Sequence, residues 1–220
     1  RSIEAGTGVG KSIAYLLPSA LYARRNNVTV GVATKTNALT DQLVSHELPA
    51  LERQLGGDLT YFSLKGYDHY PCLRKVVRAT NVELPVAQSP DNNRSEQAIE
   101  QDMLTAIAVT LAFASQSPSG DLDALGIRWR SVPRGMLTTT ADECQRRRCP
   151  FFPKYCLLHG ARRRAACADV VVTNHSLLLR DVEADGNILP PIRHWIIDEA
   201  HSFEAEARKQ WAVEASTANA

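Results

Sequence analysis

The chain has no run of about 18 or more apolar residues, so no segment reads as a membrane-spanning helix. Nothing at the start of the sequence, which begins with Arg1 rather than methionine, reads as a secretory leader. Cysteine is sparse, with 5 in 220 residues, and two tightly spaced pairs are lacking. Thiols without a secretory signal point to a reducing, cytoplasmic compartment, where clustered cysteines hold metals more often than they form disulfides. There is no internal repeat and no low-complexity tract, which sets aside solenoid and linker architectures. What is present is ordinary for a globular protein: 44% hydrophobic and 22% charged residues, enough chain for one large domain or two small ones.

Acidic charge is missing from one stretch in particular. The net charge of +1 conceals an uneven distribution, with 15 basic and 10 acidic residues in 65–168 against 4 and 9 in 169–220. Between Cys144 and Arg164 lie seven basic residues and no acidic one: Arg146, Arg147, Arg148, Lys154, Arg162, Arg163 and Arg164. Tyr67, Tyr70, Phe151, Phe152 and Tyr155 accompany them. Basic groups interleaved with aromatics suit a nucleic-acid single strand, through phosphate attraction and base stacking. The alternative is a solvated basic face with Phe151 and Phe152 packed over a metal site.

The hydrophobic pattern alternates helix and strand. Ser12–Arg25 is apolar on one face, with Pro18 expected to kink it. Val28–Thr34 is a short β-branched run and reads as a buried strand. Asn37–Leu55 has helical spacing and stops at Gly56-Gly57. Leu59–Leu64, Asp169–Thr173 and His194–Ile197 read as further strands. This order predicts an α/β fold with a mainly parallel sheet and its site at the carboxyl ends of the strands. Residues 65–168 break the alternation with a turn at Pro90–Asn93, a helix from about Arg94 to Ser115 and an irregular run beyond it. They are expected to form an inserted, mostly helical domain.

Two motifs carry chemistry. Ala5, Gly6, Thr7, Gly8, Val9, Gly10, Lys11 and Ser12 fit the phosphate-binding Walker A loop, with Ala5 in place of the first glycine. Such a loop turns successive backbone N–H groups toward one anion, and the helix that follows adds its positive end. Lys11 would reach the β- and γ-phosphates of ATP, and the Ser12 hydroxyl would ligate Mg2+. Trp195-Ile196-Ile197-Asp198-Glu199 is an apolar strand ending in two carboxylates. Asp198 is placed to hold Mg2+ and Glu199 to polarise the attacking water; alone, the same pair would serve as an acidic helix start. His201 completes an Asp-Glu-Ala-His box, or else is a helix-surface histidine.

Cys72, Cys144, Cys149 and Cys156 form one distant and three clustered positions. Zinc sites usually bring cysteines in pairs separated by two to four residues, and only one gap here is that short. A four-thiolate 4Fe-4S cluster fits better, with zinc and unligated thiols as alternatives. His159 is a possible spare ligand or a surface residue, and Cys167 is expected to be a small buried hydrophobe.

Taken together, Ala5–Ser12, the stretch from Thr34, Lys35, Thr36 and Asn37 to Leu43, the approach Lys65-Gly66…Tyr70-Pro71-Cys72, the segment Ala168–His175 and the box Asp198–His201 resemble the XPD/DinG group of iron–sulfur superfamily 2 helicases. The long gap before three clustered cysteines is nearer the bacterial DinG branch. The resemblance implies an ATP-dependent 5′→3′ DNA helicase acting on single-stranded DNA and DNA forks. It implies a first RecA-like domain in two parts, 1–64 and 169–210, an iron–sulfur insert at 65–168 and the start of an arch-like region at 211–220. Thr34–Leu43 and the Asn174-His175 turn would face the DNA, and His201 would be the coupling residue. The family's glutamine motif, arch, second RecA-like domain and later motifs are not in this chain. It is therefore expected to be an N-terminal fragment that does not turn over ATP alone. Two rivals stand beside this reading: a nucleic-acid-dependent ATPase acting on RNA or R-loops, and a non-catalytic single-strand-binding module. No membrane role and no specific protein partner is expected.

Overall fold

The structure, a computed structural model, describes residues 2–4, 10–80, 96–117, 119–125 and 133–212, with backbone alone for 96–100. The turn expected at Pro90–Asn93 and most of the phosphate loop, Ala5–Val9, lie outside the described residues. The chain divides into two compact units, one made of Arg1–Lys65 and Arg162–Ala220, the other of Gly66–Ala161.

The first unit is built on four parallel strands: β1 Val30–Thr34, β2 Tyr61–Ser63, β3 Val170–Asn174 and β4 His194–Ile197, in the order β2-β3-β1-β4. The fold class is therefore α/β with a parallel sheet. Central parallel strands are covered on both faces, so β1 (VGVAT) is buried along its whole length rather than alternating, and so is most of β3 (VVVTN). Side chains on one face of the sheet, Val32, Val170 and Val172, pack with Leu16 and Ala20 of helix α1 (Lys11–Asn26). Leu43, Leu48 and Leu51 complete that core. Each such buried Val or Leu contributes roughly 1.5–3 kcal/mol. Helix α1 runs without interruption through Pro18.

The single helix expected over Asn37–Leu55 is three consecutive pieces. Helix α2 (Asn37–Gln42) passes through a π-helical segment, Leu43–Glu47, into α3 (Leu48–Gln54). The Thr36 side chain caps α2 by accepting from the Leu39 N–H. At the other strand end, Asn174 caps helix α7 (His175–Glu183), which packs against β1, β3 and helix α8 (Phe203–Gln210).

In the second unit, helix α4 (Leu73–Thr80) packs on α5 (Glu96–Gln116). Val76, Ala79, Met103, Ile107 and Leu137 make its small core. Helix α6 (Leu157–Ala166) begins in this unit and continues into the first. Among the described residues no helix is long and apolar enough to cross a membrane.

Candidate active site

The parallel arrangement puts the carboxyl ends of β1, β3 and β4 on one edge, and the sequence motifs meet there. Lys11 opens α1, and its Nζ lies 3.2 Å from Glu199 Oε1, joining residues 188 positions apart. That ammonium, hydrogen-bonded to Glu199, holds the Glu199 carboxyl below the usual glutamate range. Asp198 and Glu199 sit where β4 ends. The Asp198 N–H donates to Ala33 of β1 at 2.9 Å, and the Glu199 N–H donates to Asp198 Oδ1 at 3.0 Å. Glu199 adopts a left-handed backbone, φ 52°, which few side chains other than glycine take up. This turn aims its carboxylate at Lys11. His201 is exposed, with Nδ1 3.5 Å from Glu199 Oε2.

Tyr15, not singled out from the sequence, belongs to the same group. Its hydroxyl donates to Asp198 Oδ2 at 3.1 Å and also meets the Ser12 hydroxyl one helical turn away. Burial, with the Asp198 charge beside it, raises the Tyr15 phenol above its ordinary value. Ser12, Tyr15 and Asp198 thus gather three oxygens where two were expected to serve one Mg2+. Lys11 and Ser12 at the start of α1 and Asp198 just past β4 are an ammonium, a hydroxyl and a carboxylate, a donor set that suits an Mg2+-phosphate group.

The residues expected to touch nucleic acid divide by exposure. Lys35 and Thr36 are exposed, and Asn37 is half-buried. Thr34 is buried, and its hydroxyl meets Thr36 O at 3.0 Å and Thr40 Oγ1 at 2.8 Å. It shapes the loop from within and offers no side-chain contact outward. Asn174 Oδ1 accepts from the Leu177 N–H at 2.8 Å, and its Nδ2 donates to Asn37 Oδ1 at 2.7 Å. His175 is 0% exposed, so its imidazole is closed off from a strand of nucleic acid in this form; Nε2 lies 2.8 Å from the Asp198 carbonyl instead. Arg146, Arg147, Arg148, Lys154, Arg163 and Arg164 are exposed, whereas Arg162 is half-buried. Arg164 lies over the Phe62 ring at 5.1 Å and Lys154 over the ring of Tyr155 at 5.2 Å.

The four clustered-pattern cysteines come together within the second unit. The Cys72 N–H donates to Leu137 O at 2.8 Å, and Lys75 reaches Glu143 Oε2 at 2.7 Å, drawing the distant cysteine to the segment that carries Cys144. The lysine hydrogen bond holds the Glu143 carboxyl below its ordinary value. Arg146–Arg148 form a single turn between Cys144 and Cys149, and the Cys149 N–H donates to Arg146 O at 3.0 Å. Cys156 directly precedes α6. Burial raises its thiol above the ordinary value, and charge on Cys144, Cys149 or Cys72 raises it further. All four are half-buried free thiols. No three of their sulfurs lie within 4.8 Å of one another; among the described residues only His69, Asp121 and Asp123 bring three metal-type ligand atoms that close. Four cysteine sulfurs in one unit are a donor set that either a zinc ion or a four-iron cubane accepts. The His159 ring lies 4.5 Å from that of Phe152, tilted by 52°. Cys167 is exposed, not the buried small residue expected, because it follows the last turn of α6, beyond the buried Ala165.

No family model matches the chain. It is 36% identical over 98% of its length to the ATP-dependent helicase DinG of Mycobacterium tuberculosis. It is 32% identical over 91% of its length to the ATP-dependent DNA helicase YoaA of Escherichia coli. It is also 31% identical over 93% of its length to a Bacillus subtilis protein named 3′-5′ exonuclease DinG. The chain spans 33%, 30% and 20% of these three proteins respectively. Over nearly its whole length, then, the chain is a DinG-type sequence, related to a segment of about a third of the DinG and YoaA helicases.

Proposed function

We propose that this chain is the ATP-binding part of a DNA helicase, a RecA-like domain interrupted by an iron–sulfur domain. The observation that carries the proposal is the meeting of the start of α1 with the Asp198-Glu199 turn, Lys11 on Glu199 and Tyr15 on Asp198, from opposite ends of the chain. Lys11 would leave Glu199 for the β/γ-phosphates of ATP. Ser12 and Asp198 would hold Mg2+, which neutralises phosphate charge during transfer. Glu199, released from Lys11, would accept a proton from the attacking water. Cys72, Cys144, Cys149 and Cys156 would hold a 4Fe-4S cluster that pins the Arg146–Arg148 turn. Lys35, Thr36, Asn37 and the exposed arginines would follow a DNA strand, with 5′→3′ movement as the resemblance implies and a cytoplasmic location as the free thiols suggest.

The relatives' names support a motor on DNA, but the Bacillus subtilis protein is named an exonuclease, so unwinding and degradation need separating. The full-length protein is incubated with a 5′-tailed labelled duplex, with and without ATP. ATP-dependent release of an intact strand, abolished by Lys11→Ala, is the expected result. ATP-independent shortening of the label, unchanged by Lys11→Ala, would overturn the helicase reading.

A further inference from the structure

We propose that His175 is a positioning residue that ties the nucleic-acid edge of the sheet to the Asp-Glu-Ala-His turn, transmitting the state of one to the other through the Asp198 peptide. The inference rests on the motor reading above, and it assigns His175 a role inside the protein in place of a DNA contact.

The Asp198 backbone is held on both sides. Its N–H donates to Ala33 O at 2.9 Å, within the sheet, while its carbonyl, past the end of the strand, meets His175 Nε2 at 2.8 Å. A carbonyl only accepts, so Nε2 carries the hydrogen and donates. Among the described residues the buried Nδ1 has no hydrogen-bond partner, so the one polar contact of the ring there is Asp198. The ring edge also meets Phe203 at 5.1 Å and 85°, at the start of α8 just beyond the box. A 0% exposed imidazole with one polar partner is fixed in direction.

The Asp198 carbonyl and the Glu199 N–H belong to one rigid peptide plane. Fixing that carbonyl therefore fixes the plane from which Glu199 turns into its left-handed conformation, φ 52°, a geometry that ordinary side chains adopt only with support from their surroundings. That conformation places the Glu199 carboxylate 3.2 Å from Lys11. On the other side, the adjacent Asn174 caps α7 and donates to Asn37, next to the exposed Thr36. Two consecutive residues thus point in two directions, one to the loop that faces nucleic acid and one to the catalytic turn. A strand pulling on Thr36–Asn37 moves the β3–α7 turn, and with it the hydrogen bond that sets Glu199.

The test compares His175→Leu, which keeps bulk and removes the donor, with His175→Gln, whose amide restores one. In the full-length protein, ATP hydrolysis is measured with and without saturating single-stranded DNA, beside the unfolding midpoint. The Leu variant is expected to lose about tenfold in DNA-stimulated kcat with little change in KM, about the rate equivalent of one hydrogen bond, and the Gln variant to recover most of it. A Leu variant that keeps the wild-type kcat, or a Gln variant no better than Leu at equal unfolding midpoint, overturns the proposal alone. Absence of hydrolysis by the wild type overturns the motor reading and the proposal with it. Independently, nitrogen NMR of 15N-histidine in this chain should show His175 as the Nε2–H tautomer; the Nδ1–H tautomer would contradict the Asp198 bond.

Discussion

At the scale of single residues, the site is an ion pair awaiting a competitor. Lys11 and Glu199 hold each other at 3.2 Å, and an incoming polyphosphate would draw Lys11 away. Glu199→Gln weakens the hold on Lys11 and removes the proposed proton acceptor. The expected outcome is nucleotide binding at least as tight as wild type with hydrolysis reduced by roughly a hundredfold or more, the effect of removing a positioned general base. Wild-type hydrolysis in that variant would remove Glu199 from the mechanism. Acid should separate the pair in a defined direction. Because Lys11 lowers the Glu199 carboxyl in the folded chain, the bridge is intact above the ordinary glutamate value of about 4.3 and is lost only as pH falls through the lower folded value. Carboxyl-carbon NMR should place the Glu199 midpoint below that of an unfolded glutamate. A midpoint at or above it would contradict the geometry. Tyr15 and His175 show what local pattern does not reveal: each acts on Asp198 across at least 23 residues of sequence, and neither spacing nor residue type announces such a contact.

At the scale of elements, most strands and helices were legible because their chemistry is local. The β-branched runs around Val30–Thr34 and Val170–Asn174 form strands, and the alternating stretch around Tyr61–Ser63 does too. The helix expected to end near Ser115 ends at Gln116. The π-helical segment in Leu43–Glu47 was not legible, since it lies inside an unbroken helical spacing. Strand order was equally hidden, as pairing depends on contacts between distant segments. Gly31 illustrates the point. It pairs with Trp195 across β1 and β4, and a Cβ there would lie 2.4 Å from the indole ring. Gly31→Ala should therefore destabilise the first unit by about 1–3 kcal/mol through overpacking, measured by chemical denaturation. An unchanged midpoint would mean the indole moves aside freely. The Arg146–Arg148 turn makes a separate prediction. Changing all three to alanine should lower the slope of log affinity for single-stranded DNA against log salt by roughly one to three, about one for each phosphate no longer neutralised. Iron content should stay the same. Unchanged affinity and slope by fluorescence anisotropy would assign these exposed arginines to solvent.

At the scale of the whole molecule, two sets of motif residues share one chain: the proposed nucleotide site at the edge of a parallel sheet, and four cysteines in a separate unit. Their coexistence in a sequence related to DinG and YoaA proteins underlies the proposed motor. The thiol half makes a metal prediction. Anaerobically purified protein should carry about four irons per chain, and Cys149→Ser should lose them before DNA binding fails. Stoichiometric zinc without iron would replace the cluster reading. The central claim, that Lys11, Asp198 and Glu199 form the engine of a DNA-driven ATPase, is tested most directly by ATP hydrolysis in the full-length protein with and without single-stranded DNA. Hydrolysis is expected to rise with DNA and to disappear in Lys11→Ala while the fold persists. Hydrolysis that ignores DNA, or that survives Lys11→Ala, would contradict the claim.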